Sequence, residues 1–558
     1  MRPALGTSEF SILRASSALY VDKTAWVAKV LEDDARVLLL TRPRRFGKSL
    51  FLSTVRAFVE RSELSGVDST AAFAGLDVWR SVTARAHHQR HPVVHLSFKG
   101  MNSATWEGMR EQMALMLSTM LDPFFRRWSS SELDPHGVLV AVWERRATDA
   151  QLVASLGALT RELHRLTGEP VVVLIDEYDA PLHAAWERGF LDPAIHLYRG
   201  LLEAVLKDNP ALYRGVLTGV LRVARESLFS GLNHVVVRSV LDHDFCAACG
   251  FTEDEVATLL AEAGLADRLG EVRAWYNGYR FGDATIYNPW SILSFLATPA
   301  NGTLPYWSNT GGTGLIERLL RVAPPETSRL FEDLLAGHTI TRRVDEQLIL
   351  RGLERREGAL WSLLIAAGYL KVVRQQLGGD GLIADLAIPN LDVGTTWRGL
   401  FADWLEEHAG AQDAVRALGQ AVLRGDAPVF QELLQDIVTA SWSAHLTDRR
   451  QPERVWQAFV LGLLVHLSGD WEVRSELESG FGRADVVVRP RRPGLPGAVL
   501  ELKRQEEGED PGAALDAALT QIAQRDYAAA LRQAGASVVQ EIGVVFEGRR
   551  VWVKVRRG

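Results

Sequence analysis

The residue types that can do chemistry fall into two groups at opposite ends of the chain. Near the N-terminus the apolar run Val37-Leu38-Leu39-Leu40 leads into Thr41-Arg42-Pro43-Arg44-Arg45-Phe46-Gly47-Lys48-Ser49. A helical pattern follows, with Phe51, Val55, Phe58 and Val59 on one face. A phosphate-binding loop needs backbone N–H groups converging at a helix start, a lysine to reach the β- and γ-phosphates and a hydroxyl to ligate Mg2+. Gly47, Lys48 and Ser49 have those types, in the strand–loop–helix context that gives the motif meaning, and Arg44, Arg45, Phe46 and Leu50 complete the expected ATP-binding loop. The loop is non-standard: Arg42 stands where the first glycine is usual, and Pro43 has no N–H to donate.

Near the C-terminus, Asp485 heads an apolar strand and is followed by Glu501-Leu502-Lys503. Residues two apart on a strand share a face, so Glu501 and Lys503 point together while Leu500 and Leu502 face the core. Two carboxylates and a backbone carbonyl supply hard oxygen ligands for Mg2+, and Lys503 can position the attacking water or stabilise developing charge. That is the chemistry of a metal-dependent nuclease. Glu453, opening the preceding helix, is a candidate extra ligand, and Glu478 a weaker one.

The first group has a second half. Val171-Val172-Val173-Leu174-Ile175 is a continuous apolar run of the kind that forms a strand buried on both faces, and it ends in Asp176-Glu177-Tyr178-Asp179. Asp176 is thereby expected at the carboxyl edge of the sheet beside the loop, as a Mg2+ ligand, with Glu177 orienting the attacking water. Thr218, near the end of the next strand-like run, is a candidate γ-phosphate sensor, and Arg222 and Arg225 are candidate arginine fingers in cis or in trans.

These groups need scaffolds. The chain has 558 residues, enough for roughly three to four domains. From Val37 to about Val240, short β-rich runs (Val93–Phe98, Val171–Ile175, Arg214–Val220, Val235–Val240) alternate with helical ones, which implies a mostly parallel sheet covered by helices. From about Phe251 to His445 the pattern reads as chiefly helical, a lid and connector. After a helix at Pro452–Leu467 strands return at Trp471–Glu478, Ala484–Arg489, Ala498–Lys503, Val538–Phe546 and Val551–Val555. The expected division is an ATPase domain over 1–240, a helical connector over 241–445 and a nuclease-like α/β domain over 446–558.

Composition narrows the setting. No apolar run approaches the ~20 residues of a membrane span and the N-terminus lacks a secretion-signal core, so a cytoplasmic protein without a membrane partner is expected. Cys246 and Cys249 are the sole cysteines, which excludes a disulfide framework. With His243 nearby but no second pair, they read as packed small residues rather than a zinc site. His87, His88 and His91 sit in a polar loop and need no metal. The net charge of −7 argues against a non-specific basic binder, while patches such as Arg489–Arg492 can still supply phosphate contacts.

The motifs Arg42–Ser49, Asp176–Leu182, Leu217–Asn233 and Trp275-Tyr276-Asn277-Gly278-Tyr279-Arg280-Phe281 together resemble the prokaryotic AAA-ATPase-like proteins that end in a PD-(D/E)XK nuclease domain, over almost the whole chain. The resemblance implies a P-loop ATPase of the additional-strand class with ATP and Mg2+ as cofactors. Its Arg-Pro-Arg-Arg-Phe-Gly-Lys loop is typical of the family, so the missing glycine is weak evidence against ATP binding. Gln521 and Tyr527 resemble the accessory residues of RecB-like nucleases, and Trp275–Tyr279 reads as a structural turn against the ATPase core rather than a base-stacking platform. Three functions compete: ATP-coupled cleavage of nucleic acid, chiefly DNA, in defence or mobile-element biology; a nucleotide-regulated switch or scaffold that binds without cutting; and an ATPase motor with a vestigial C-terminal domain. The intact Asp485, Glu501 and Lys503 favour the first over the third, and ATP-favoured homo-oligomerisation is expected.

Overall fold

The computed structural model describes residues 3–16, 18–222, 232, 234–307, 326–335, 337–345, 357–378, 381–397, 399, 412–441, 453–464, 467, 470–479, 482–505, 510–548 and 550–557. The chain divides into two compact units, residues 1–316 with 341–393, and residues 317–340 with 394–558. The stretch expected as a connector is therefore shared between them.

The first unit is built on five parallel strands: β1 (Val37–Thr41), β2 (Val93–Ser97), β3 (Val171–Asp176), β4 (Leu212–Gly219) and β5 (Val235–Arg238), in the order β2-β3-β4-β1-β5. The apolar runs of β1 and β3 are fully buried, as strands covered on both faces must be. Strand β4 is inserted between the loop strand β1 and the acid-bearing strand β3. Leu217 pairs with Leu39 on one side and Ile175 on the other, so Leu40, Thr218 and Asp176 come next, level with one another at the carboxyl edge.

The stretch expected to be chiefly helical also carries a hairpin, β6 (Tyr279–Phe281) with β7 (Ala284–Ile286), and a three-stranded sheet of β8 (Ile340–Val344), β9 (Lys371–Gly378) and β10 (Gly381–Ala387) in the order β8-β10-β9. Strand β9 escapes sequence reading because Val373–Gly378 are all exposed, so the alternation that marks a half-buried strand is absent. The Trp275–Phe281 motif packs as a structural element: Tyr276, Tyr279 and Phe281 are buried, and Tyr279 and Phe281 lie edge-on and tilted against Phe46 at 4.9 and 5.1 Å.

The histidine loop forms a relay rather than a solvated turn. His91 Nδ1 donates to the Pro170 carbonyl at 2.7 Å, which leaves its Nε2 to accept from His87 Nδ1 at 2.8 Å, and the Tyr213 hydroxyl bridges His87 Nε2 at 2.9 Å and the Leu31 carbonyl at 3.2 Å. The three rings stack.

The second unit contains a mixed sheet of β11 (Trp471–Ser479), β12 (Gly482–Pro490), β13 (Gly497–Arg504), β14 (Val539–Glu547) and β15 (Arg550–Arg557), in that order. Neighbours are antiparallel except β13 and β14, which run parallel because the helix Pro511–Gln524 carries the chain between them. That helix buries Ala514, Leu515, Ala518, Leu519 and Ile522. No helix among the described residues is long and apolar enough to cross a membrane.

Candidate functional site

In the first unit, β1 delivers the loop and the helix Lys48–Val59 begins directly after Gly47, which adopts φ +89, a left-handed conformation glycine reaches at no steric cost. The Lys48 ammonium is buried and donates to the Arg42 and Pro43 carbonyls at 2.9 and 2.8 Å. Burial pulls its pKa below the usual lysine value, against the opposing influence of Asp179, Asp176 and Glu177. Ser49 Oγ donates to Asp176 Oδ2 and Thr218 Oγ1 donates to Asp176 Oδ1, both at 2.5 Å. One carboxylate thus ties together β1's loop, β3 and β4. Glu177 takes φ +52, an uncommon conformation for a non-glycine residue, and burial followed by the neighbouring Asp176 raises its pKa.

A cavity of about 730 Å3 adjoins this cluster, and Lys48, Ser49, Glu177, Asp179 and Lys99 line it. Tyr20, Phe251, Trp290 and Leu293 line it as well. Such a volume, with both charged and aromatic residues in its wall, suits a small organic ligand carrying phosphates.

The loop residues divide. Arg42, in the position of the missing glycine, is fully buried and holds the fold: its guanidinium donates to the carbonyls of Thr41, Arg238 and Phe245. The Phe46 ring packs into the aromatic cluster with Tyr279 and Phe281, and Arg45 lies 4.1 Å over Trp290. Arg44 and Leu50 line the cavity; Arg222 follows the wall residues Val220 and Leu221. Arg225 lies outside the described residues, as do the Glu453 and Glu478 side chains.

The C-terminal cluster also assembles. Val486 pairs with Leu500 across β12 and β13, so Asp485 and Glu501 are the next residues on each strand. Asp485 Oδ2 accepts from the Leu502 N–H at 2.8 Å, and Glu501, 1% exposed, receives Lys503 Nζ at 3.1 Å and the Gln521 amide on Oε1. Four residues from two strands and one helix therefore meet at a single point. The donor set, two carboxylates beside backbone carbonyls, has the hard-oxygen chemistry Mg2+ requires. Tyr527 is fully buried, with Arg525 donating to its hydroxyl at 3.1 Å.

Two contributors were missed in the sequence. Gln457, on the helix Glu453–Leu464, donates to the Asp485 carbonyl at 2.8 Å and fixes the backbone of that residue. A buried amide on an otherwise apolar helix face was its only signal. Asp179 sits in the quoted motif without an assigned part, yet its Oδ2 accepts from Val220 and Leu221 N–H at 3.0 and 2.7 Å, clamping the segment after Thr218. The crowding at Gly219 was invisible: a Cβ there would come within 2.5 Å of Asp179 Oδ1.

Comparison with known proteins agrees with both halves. Residues 4–229 match the family model described as "Predicted AAA-ATPase", and residues 451–556 match a model of the PD-(D/E)XK nuclease superfamily. An "Uncharacterized protein in vnfD 5'region" of Azotobacter chroococcum is 30% identical over 497 residues, covering 87% of this chain and 86% of the relative. With an acid-bearing strand set beside a Gly-Lys-Ser loop through an inserted strand, and a second mixed sheet carrying Asp485, Glu501 and Lys503, the chain belongs to the AAA-ATPase-like family and ends in a PD-(D/E)XK nuclease superfamily domain.

Proposed function

We propose that the protein hydrolyses ATP at the Lys48–Asp176 cluster and cleaves nucleic acid, chiefly DNA, at the Asp485–Glu501 cluster, and that it works in the cytoplasm as an ATP-favoured homo-oligomer. The observation that carries this reading is the meeting of Asp485, Glu501, Lys503 and Gln521 at one strand end, since a decayed nuclease fold has no reason to keep all four together.

At the first cluster, Lys48 has three N–H groups and its two loop carbonyls use two, so the third can reach a phosphate with the loop intact. Ser49 Oγ and Asp176 would hold Mg2+, which supplies positive charge against the phosphates. Thr218 keeps the Asp176 carboxylate in one orientation. Glu177, its pKa raised, is poised to take the proton of the attacking water on its carboxylate. Arg44 and Arg45, exposed residues that line the cavity, add cationic charge toward the nucleotide, and Arg222 is the cis or trans arginine candidate.

At the second cluster, Asp485, Glu501 and the adjacent backbone would hold the metal, Lys503 orients water, and Gln521 fixes the Glu501 carboxylate. The test is purified full-length protein with Mg2+ or Mn2+, with and without ATP, on linear, circular, single-stranded and branched DNA. Metal-dependent cutting that disappears in Asp485→Ala is expected. Wild-type protein that binds these substrates and cuts none of them would overturn the nuclease half and leave a nucleotide-regulated binder.

A further inference from the structure

The Asp485–Glu501 cluster has beside it a cation that cleavage as described leaves unused. The helix Pro511–Gln524 carries Gln521, whose amide meets Glu501 Oε1, and Arg525 is the residue that caps this helix. Positions four apart on a helix share a face, and the Arg525 N–H bonds the Gln521 carbonyl at 3.1 Å, so the turn that delivers Gln521 to Glu501 brings Arg525 to the same side. The Tyr527 hydroxyl, and behind it the Glu501 carboxylate, raise the pKa of this arginine. The charge of the cluster thus reaches it. Arg525 is exposed, yet its Nη1 is tied at 3.1 Å to the hydroxyl of Tyr527, a fully buried side chain. Pinning a long side chain to the core in this way removes part of the entropy it would otherwise lose on gripping a ligand. Its charge is also unspent. The adjacent Asp526 pairs with Arg532 at 3.4 Å, and among the described residues no carboxylate forms an ion pair with Arg525, whereas Lys503 is paired with Glu501 at 3.1 Å.

We propose, resting on the reading of this cluster as a nucleic-acid site, that Arg525 grips a backbone phosphate of the strand entering it and that Tyr527 is the positioning residue that holds Arg525 in place. Two carboxylates at one point repel a phosphodiester, and the Lys503 ammonium is already engaged by one of them, so an unspent cation at the edge of the cluster is what a phosphate needs. A guanidinium presents its N–H groups in a planar fork that matches phosphate oxygens, and the bond to Tyr527 leaves the rest of that fork available. Tyr527 has no exposed surface with which to meet a substrate, so its hydroxyl acts through the arginine.

Binding and cutting are measured separately. Full-length protein is titrated against a fluorescent 30-base-pair DNA duplex in Ca2+ over a range of salt, and cleavage of the same duplex is followed in Mg2+. Arg525→Ala is expected to weaken binding about tenfold and to lower the salt slope by about one, the loss of a single phosphate contact, with unchanged melting. Arg525→Lys keeps the charge without the fork, and should restore the slope and part of the affinity. Tyr527→Phe keeps the buried ring and removes the hydroxyl, so it should weaken binding by a smaller factor and cost nothing further when added to Arg525→Ala. The control Arg80→Ala, an equal loss of charge on an exposed side chain of the first unit, should change the binding little. Wild-type affinity and slope in Arg525→Ala, an equal loss in the control, or losses that multiply in the double variant would overturn the proposal. Wild-type protein that binds the duplex and cuts none of it would refute the cleavage alone, and the binding series would still decide on Arg525.

Discussion

The two clusters are assembled in opposite ways. In the first unit, Ser49 reaches Asp176 across 127 residues and Thr218 reaches it across 42. In the C-terminal domain, Asp485 meets Leu502 across 17 residues, Lys503 meets Glu501 across two and Gln521 meets Glu501 across 20. The reason is strand direction. Parallel neighbours need a crossover of a dozen residues or more between them, so the edge of a parallel sheet gathers distant sequence. Antiparallel β12 and β13 need only a short connection, and Asp485 and Glu501 come from adjacent strand ends. The Lys48–Asp176 cluster is therefore a property of the whole unit, and the Asp485–Glu501 cluster a nearly local one.

That difference can be broken by mutation. The largest effect is expected at the local site: Asp485→Ala or Glu501→Ala removes a metal ligand and should abolish cutting, with ATP turnover unchanged, while Lys503→Ala retains metal and cuts poorly. Metal titration alongside a cleavage assay checks it. Wild-type cutting by all three would move the nuclease elsewhere. Next, Glu177→Gln should bind ATP normally and hydrolyse it ~10^2–10^4 times more slowly, as loss of a positioned base does, whereas Lys48→Ala should lose ATP binding. Wild-type affinity in Lys48→Ala would refute the loop assignment. In the unmutated protein the acid limb of kcat should lie above the ordinary glutamate value, because the folded pKa of Glu177 is raised.

Acid sharpens the comparison at the level of stability. His91 is pushed down to about 4 by burial, and His87 is lowered as well. A depressed histidine pKa means the neutral relay stabilises fully above the unfolded value near 6.5, and that stability is lost as pH falls toward 4; for His91 this is on the order of 3 kcal/mol. Melting followed from pH 7.5 to 4.5 should show the first unit losing stability over that window, and His91→Asn with its lost titration should flatten the curve. An unchanged pH profile in that variant would rule the relay out. The smallest effect is Thr218→Val, which removes one hydrogen bond to a charged partner, about 1.5–3 kcal/mol, and should lower ATP turnover tenfold or more while leaving DNA cutting without ATP untouched.

The same contrast explains what was legible. The loop, the acid-ended strand and the Asp485…Glu501-Leu502-Lys503 pattern were readable because each is a short run whose type and period mark both its secondary structure and its chemistry. Arg42 misled only in part: it stands where a glycine is usual, and the fold uses that position to bury a guanidinium among three carbonyls. The β8–β10–β9 sheet was not legible, since its exposed ribbon has no buried face to impose a pattern on the sequence.

The sequence by itself determined that an α/β scaffold surrounds the two clusters and which residues are candidates for phosphate chemistry, because strand burial and loop chemistry are written locally, in period and residue type. Only the tertiary structure decided that β4 lies between β1 and β3, that one carboxylate accepts both the Ser49 and the Thr218 hydroxyl, that Asp179 clamps the following segment and that Gln457 fixes the Asp485 backbone. Those are pairings between distant or unpatterned residues, and a single chain records no partner for a buried polar group until the backbone has brought one within hydrogen-bond reach.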